Sequence, residues 1–215
     1  MDQYWDSFRE ATSSMVSDAL DELGLDGVLV GLQARHDART TSVGRALTVS
    51  FQAKSHDESA YRFGGGVGRP LEAVLRLMEQ DDFILFDLDG SDRAACWGGL
   101  ASRLAKRQGV AGVAVWGGCR DLTEIRQLEF PVWSSSVCPR RSRNDFTFGS
   151  VKEPIEVAGV TVESGDIVVG DASGMVVVPY SHAASVAEVV QRIIDQESVL
   201  ESQLEQGDAV NWDEI

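Results

Sequence analysis

The chain has 215 residues, 43% hydrophobic and 25% charged, and its 34 acidic residues outnumber 19 basic ones for a formal net charge of −15. That length and apolar content suffice for a sizeable buried core, while the acidic balance opposes direct nucleic-acid binding unless basic residues are concentrated. The best concentration, Arg140, Arg141 and Arg143, lacks interleaved aromatic residues. Cys96, Cys119 and Cys138 are odd in number and show no CxxC spacing, which argues against a disulfide framework and a structural zinc site. No apolar run approaches the ~18 residues of a membrane span, and the acidic start Met-Asp-Gln-Tyr-Trp-Asp does not read as a signal peptide. A cytoplasmic protein with no membrane partner is expected.

In chain order, residues 10–23 read as a helix with Met15, Ala19, Leu20 and Leu23 on one stripe and Gly24 as its stop. Residues 43–51 alternate as a strand. GGGVGRP at 64–70 is a glycine-rich loop, followed by a helix at 71–79 with Leu71, Val74, Leu75 and Met78 on one face. A buried strand is expected at 83–88, a helix at 98–107 carrying Leu100, Ala101 and Leu104, and a strand at 110–116. A helix near 121–128 and a short strand around 131–134 come next. From about residue 155, short β-runs alternate with Gly, Ser and Asp turns, the pattern of antiparallel strands. A last helix covers about 181–206, its apolar side formed by Val186, Val189, Val190, Ile193, Ile194 and Leu200, before a polar tail. No internal repeat or linker interrupts this order, which predicts one α/β domain over 1–215 with a β-rich second half.

The stretch VWGGCRDLTEI (115–125) holds the most chemistry. Asp121-Leu-Thr-Glu124 has the form of a capping box, with Asp at the N-cap and Glu at N3. Arg120 is left over by that reading. A guanidinium at a glycine-opened strand end beside a helix N-terminus favours anions, and carboxylates there are hard-oxygen donors for Mg²⁺ or Mn²⁺. Gly117 and Gly118 would let a ligand approach the backbone. Cap and site are compatible, and the residues alone leave both open. Upstream, Gly98-Gly99 in CWGGLASRLA opens a helix whose free N–H groups could cradle a carboxylate, although taken alone close helix packing is the better explanation of the glycines. Arg120 lies 21 positions after Gly99, so both helix starts follow the carboxyl ends of successive strands, which converge on one crevice in an α/β sheet.

Other groups are weaker candidates. GGGVGRP is neither a GxGxxG nor a P-loop. His36, His56 and His182 have no ligand spacing and read as solvated surface. Ser134, Ser135 and Ser136 lack a nucleophile-elbow context. Cys119 reads as a core thiol, and no lysine lies in the site segments to form a Schiff base.

Taken together, WGGL (97–100), GVAGVAVWGGCRDLTEIRQLEFPVW (109–133) and VESGDIVVGDASGMVVVP (162–179), with VSDALDELG (16–24) and VGRALTV (43–49), resemble the RraA-like family. That family includes class II 4-hydroxy-4-methyl-2-oxoglutarate/4-carboxy-4-hydroxy-2-oxoadipate aldolases and regulators of ribonuclease E activity. The similarity covers roughly residues 10–195. It implies a three-layer β/β/α fold like the swivelling phosphohistidine domain, a ring-shaped homotrimer or a hexamer, and an active site between subunits. It assigns Asp121 to a divalent metal (Mg²⁺ or Mn²⁺), Arg120 to substrate oxygens and enolate stabilisation, and the backbone of Gly98, Gly99, Leu100 and Ala101 to the pyruvyl carboxylate.

Where the aldolases carry an Asp 21 residues before the Arg, this chain has Gly99. Some RraA-like members with glycine there carry an acid three residues after the Asp instead, a place taken by Glu124, which the resemblance implies as the second metal-shell carboxylate. The implied activity is metal-dependent cleavage of a 4-hydroxy-2-oxoacid to pyruvate, with oxaloacetate decarboxylation through the same enolate. The alternatives are a non-catalytic regulator that binds a ribonuclease by protein contact and a sugar-acid lyase or dehydratase.

Overall fold

The computed structural model describes residues 4–54, 70–142 and 145–207, with only the backbone of residues 70–73. Residues 64–69 of the glycine-rich stretch, His56, Arg143 and the tail from 208 lie outside the described residues, as does the Leu71 side chain.

The elements run α1 (Trp5–Glu10), α2 (Ser13–Glu22), β1 (Gln33–Ala34), β2 (Ser42–Ala53), α3 (Pro70–Leu77), β3 (Asp82–Asp87), β4 (Ala95–Trp97) and α4 (Gly99–Gln108). Then come β5 (Gly112–Cys119), α5 (Leu122–Leu128), β6 (Val132–Val137), β7 (Phe146–Val151), β8 (Ile155–Val157), β9 (Val160–Val162), β10 (Ile167–Gly170), β11 (Met175–Val178) and α6 (Ala183–Gln206). The expected helix at 10–23 is two helices. Thr12 breaks the run by capping α2, its side chain accepting the Met15 N–H at 3.2 Å. Leu23 falls beyond the end of α2 and is exposed, off the apolar stripe.

Strands β2, β3, β5 and β6 lie side by side and parallel, the order set by the helices that cross between them. Their carboxyl ends therefore share one edge, where the short β4 also pairs with β5. On the other side of β2 the sheet becomes antiparallel through β10 and β11, so the described sheet is mixed, in the order β1-β6-β5-β3-β2-β10-β11. It also curls. Residues 27–34 link its two edges: the Val177 N–H donates to the Gly27 carbonyl at 2.8 Å, while Gln33 and Ala34 pair with Ser134 and Trp133. Across the curl the Trp133 indole N–H donates to the Asp171 carbonyl at 3.0 Å.

Alternation along each strand divides the buried side chains among three cores. Leu47, Ile84, Phe86, Val113 and Val115 face α3, α4 and α5. Phe83, Leu85, Ala114, Trp133 and Val168 point into the curl, where the β8–β9 hairpin adds Ile155, Val157 and Val162. Ile167, Val169, Val176 and Val178 face α1, α2 and α6, meeting Phe8, Val16, Leu20 and Val186. Burial of each such large side chain is worth about 1.5–3 kcal/mol. Curled mixed sheet, hairpin and outer helices together make the expected mixed α/β architecture. Strands β1 and β4 are too short, and β7 too little buried, to stand out in the sequence pattern.

Candidate active site at the start of helix α4

β5 runs on past Trp116 through Gly117 and Gly118 to Cys119, three residues further than the hydrophobic run suggests. The extension lies beside β4: the Arg120 N–H donates to the Trp97 carbonyl at 3.0 Å. The two segments end together, so Gly98-Gly99 and Arg120-Asp121 meet although 21 positions separate Gly99 from Arg120. Trp97 and Ser102 fix the helix start. The indole N–H donates to Ser102 Oγ at 2.8 Å, and Ser102 gives both its N–H (3.0 Å) and its hydroxyl (3.1 Å) to the Gly98 carbonyl.

The capping box does not form. Asp121 stands at the N-cap position of α5, but its carboxylate makes no bond to that helix. Instead Asp121 Oδ2 accepts the Gly99 N–H of α4 at 3.1 Å and lies 3.5 Å from Arg120 Nε. Its backbone is left-handed, with φ 59° and ψ 40°, which costs an L-residue roughly 1–2 kcal/mol, although Asp is among the side chains that tolerate it. Glu124 does not reach back to Asp121 either. Glu124 Oε1 accepts from Arg103 Nε at 2.7 Å, across to α4.

The two glycines make this convergence sterically feasible. A Cβ on Gly98 would sit 2.5 Å from Asp121 Oδ2 and 3.1 Å from Arg120 Cγ. A Cβ on Gly99 would overlap the Glu124 carboxylate and come within 2.8 Å of its Cγ. Glu124 thus fills the space that a side chain on residue 99 would enter. By contrast Gly117 and Gly118, expected to admit a ligand, serve packing: a Cβ on Gly118 would strike the Ala94 carbonyl at 2.4 Å, and one on Gly117 would meet Leu88 Cβ at 2.8 Å.

Among the described residues, Asp121 Oδ1 and Glu124 Oε2 accept no hydrogen bond, and the Leu100 and Ala101 amides at the second and third positions of α4 donate none. The Gly99 amide, which the family resemblance gives to a substrate carboxylate, is occupied by Asp121. Leu100 is 72% exposed, so it belongs to the rim of this site and not to the apolar face of α4. No group of three or more His, Cys, Asp or Glu among the described residues is placed to hold a metal ion. A cation here would rest on two carboxylates and water, an arrangement that suits Mg²⁺, which keeps several waters and takes one or two carboxylates.

The remaining candidates are structural. The Cys119 thiol is buried, which raises its pKa, and it lies 3.2 Å from Ser134 Oγ. Ser134 is also buried and receives Arg35 Nε at 2.8 Å. His36 is not solvated surface. It is half-buried against Trp133 with ring centroids 4.6 Å apart, and burial lowers its pKa. His182 is exposed at the start of α6. Sequence reasoning missed Arg103 and the lysine Lys106, whose Nζ donates to the Leu128 carbonyl at the end of α5. Their spacing of four and seven from Gly99 puts both on one face of α4, a signal present in the sequence.

A curled mixed sheet with an Arg-Asp pair facing a glycine-opened helix defines a class of α/β proteins, and the comparisons identify which. The model of RraA-like proteins, described as Aldolase/RraA, matches residues 13–177, and the chain belongs to that family. It is 33% identical over 158 residues to 4-hydroxy-4-methyl-2-oxoglutarate aldolase of Thermus thermophilus, covering 66% of this chain and 93% of that protein. RraAS2 of Streptomyces coelicolor, an unusual member of the RNase ES inhibitor RraA family, superposes with a TM-score of 0.79 at 29% identity over 94% of this chain and 96% of its own. An uncharacterized Pseudomonas syringae protein gives a TM-score of 0.83 at 25% identity over 96% of this chain and 94% of its own. The chain spans 57% of the length of an uncharacterized Methanocaldococcus jannaschii relative and 28% of Legionella pneumophila protein DlpA. No helix among the described residues is long and apolar enough to cross a membrane.

Proposed function

We propose that this protein is a divalent-metal-dependent lyase that cleaves a 4-hydroxy-2-oxoacid to pyruvate and also decarboxylates oxaloacetate. The observation that carries the reading is the turning of both Asp121 and Glu124 away from their own helix toward the Gly98-Gly99 start of α4, beside Arg120. Asp121 and Glu124 would hold Mg²⁺ or Mn²⁺, each offering an oxygen that accepts no hydrogen bond among the described residues. When bound, the ion supplies Lewis-acid polarisation of the 2-oxo group. The Leu100 and Ala101 amides at the positive end of α4 bind the substrate carboxylate. The Arg120 guanidinium, half-exposed and ion-paired only with Asp121 among the described residues, faces the oxygen on which enolate charge develops. Arg103 and Arg120 beside the start of α4 suit an anionic substrate. The aldolase name of the Thermus relative supports the same chemistry. Assembly as a homotrimer or hexamer, with the site at a subunit boundary, is part of this proposal.

The test is pyruvate release from oxaloacetate and from 4-hydroxy-4-methyl-2-oxoglutarate with Mg²⁺, Mn²⁺ or EDTA. Metal-dependent release that disappears in Asp121→Ala is the expected outcome, and retained release in that variant would sink the assignment. Arg120→Ala should lower kcat by ~10²-fold or more if the guanidinium stabilises the enolate. A near-normal kcat would remove it from that role.

A second reading rests on α6. Its last turns carry exposed Val199 and Leu204 among Glu197, Glu201 and Glu205, a surface that suits a basic protein segment. RraAS2 belongs to a family of ribonuclease inhibitors. Salt-sensitive binding to a basic ribonuclease region, without turnover of any oxoacid, would favour this regulator.

A further inference from the structure

We infer that Arg103 is the positioning residue of the metal site: it holds the Glu124 carboxylate in place of the missing side chain at residue 99. The inference rests on the proposed two-carboxylate site and adds a component to it. Glu124 is borne on α5, yet its carboxylate lies against Gly99 on α4, where a Cβ would overlap it. A flexible, half-exposed glutamate does not stay at such a point unaided, because its rotamer freedom opposes fixation. Arg103 supplies the constraint. One turn along α4 from Gly99, it donates from Nε to Glu124 Oε1 at 2.7 Å. That contact ties up one carboxylate oxygen and leaves Oε2 as the atom nearest the position of a residue-99 Cβ. Asp121 is constrained in the same way, with Oδ2 tied to the Gly99 N–H and Oδ1 left over. Each carboxylate is thus anchored through one oxygen to α4 and offers the other.

The ion pair itself is half-exposed, so it adds little to folding stability, and surface pairs are commonly worth about 0–1 kcal/mol. Its effect belongs to the orientation of a ligand. Partners that orient metal ligands typically change affinity by about 10–100-fold when removed. The opposing expectation is also physical: a guanidinium near a cation repels it and competes for the carboxylate, so its loss would tighten binding. The single anchored oxygen favours orientation over competition.

Mn²⁺ titration calorimetry on the metal-stripped full chain decides. Arg103→Ala should weaken Mn²⁺ binding about 10–100-fold, and Arg103→Lys, which keeps a charge that can reach Glu124, should recover part of the loss. In a Glu124→Gln background, Arg103→Ala should add little, because the carboxylate it orients is gone. Arg107→Ala, one turn further on the same helix and without an ion pair among the described residues, should leave the affinity unchanged and controls for net charge. Unchanged or tighter Mn²⁺ binding by Arg103→Ala, while Glu124→Gln binds weakly, would overturn the positioning role and leave the metal site standing. Wild-type affinity in Glu124→Gln would overturn both.

Discussion

Two aspartates in this fold do outwardly the same thing. Asp171, after β10, and Asp121, after β5, each reach the first amide of a helix that is not the next element of the chain. Asp171 Oδ2 accepts the Ser13 N–H of α2 at 2.7 Å, and Asp121 Oδ2 accepts the Gly99 N–H of α4 at 3.1 Å. There the likeness ends. Asp171 also receives the Ser13 hydroxyl and the Ser173 N–H, both at 2.8 Å. Burial alone would raise its pKa, but these bonds outweigh it and hold the carboxyl below its ordinary value. Asp121 receives one N–H, keeps an oxygen without a partner among the described residues, and sits in a left-handed backbone. A carboxylate whose acceptors are consumed within the fold serves the fold. One held in strain with an acceptor to spare is the better candidate for a ligand site.

That contrast can be broken by mutation, beginning with the largest effect. Asp121→Ala should abolish metal-dependent pyruvate release and yet lower unfolding free energy by only about 1–2 kcal/mol, since one charge-assisted hydrogen bond and one half-exposed ion pair are lost. A large loss of stability, read by urea denaturation, would make Asp121 structural. Asp171→Ala should do the reverse. It should cost about 2–4 kcal/mol through three lost charge-assisted bonds, two at the start of α2 and one in the turn after β10, lowering Tm by about 5–15 °C, with pyruvate release by the folded protein intact. Loss of turnover in folded Asp171→Ala would erase the distinction.

The same difference has a pH signature. Because the folded pKa of Asp171 is depressed, its contribution is fully present above the unfolded carboxyl value of about 3.9 and is lost as pH falls through the folded value. The stability gap between wild type and Asp171→Ala should therefore be constant from pH 7 to about 5 and shrink below about 4. A gap that persists in strong acid would assign the effect to packing. Smallest in stability is Gly99→Ala. The new methyl would displace the partly exposed Glu124 end, weakening Mn²⁺ binding about 10-fold while shifting stability by only about 1 kcal/mol. Unaltered Mn²⁺ affinity would show that Glu124 need not lie against Gly99.

Much of the architecture was legible in the chain. The apolar runs of β3, β5, β10 and β11 and the periodic faces of α2 and α6 announce themselves because burial selects side chains at fixed spacing. The motifs quoted from residues 97–133 and 162–179 were sufficient for the family. Strands β1, β4 and β7 were not legible, since two or three residues or a half-exposed edge leave no period to read. His36, which reads as solvated surface in the sequence, is half-buried for a related reason: spacing does not say which neighbour will cover a side chain.

The sequence by itself determined that Arg120, Asp121 and Glu124 stand at the junction of a buried strand and a helix, just after a pair of glycines. Only the tertiary structure decided what the carboxylates do there. Asp-x-x-Glu is a good local solution for capping a helix, and nothing within those four residues opposes it. The pairing of β4 with β5 brings the α4 amide and Arg103 into reach, and these partners lie 22 and 21 residues away along the chain. Their contacts replace the local ones, because hydrogen-bond partners are set by proximity in space once packing has fixed the backbone.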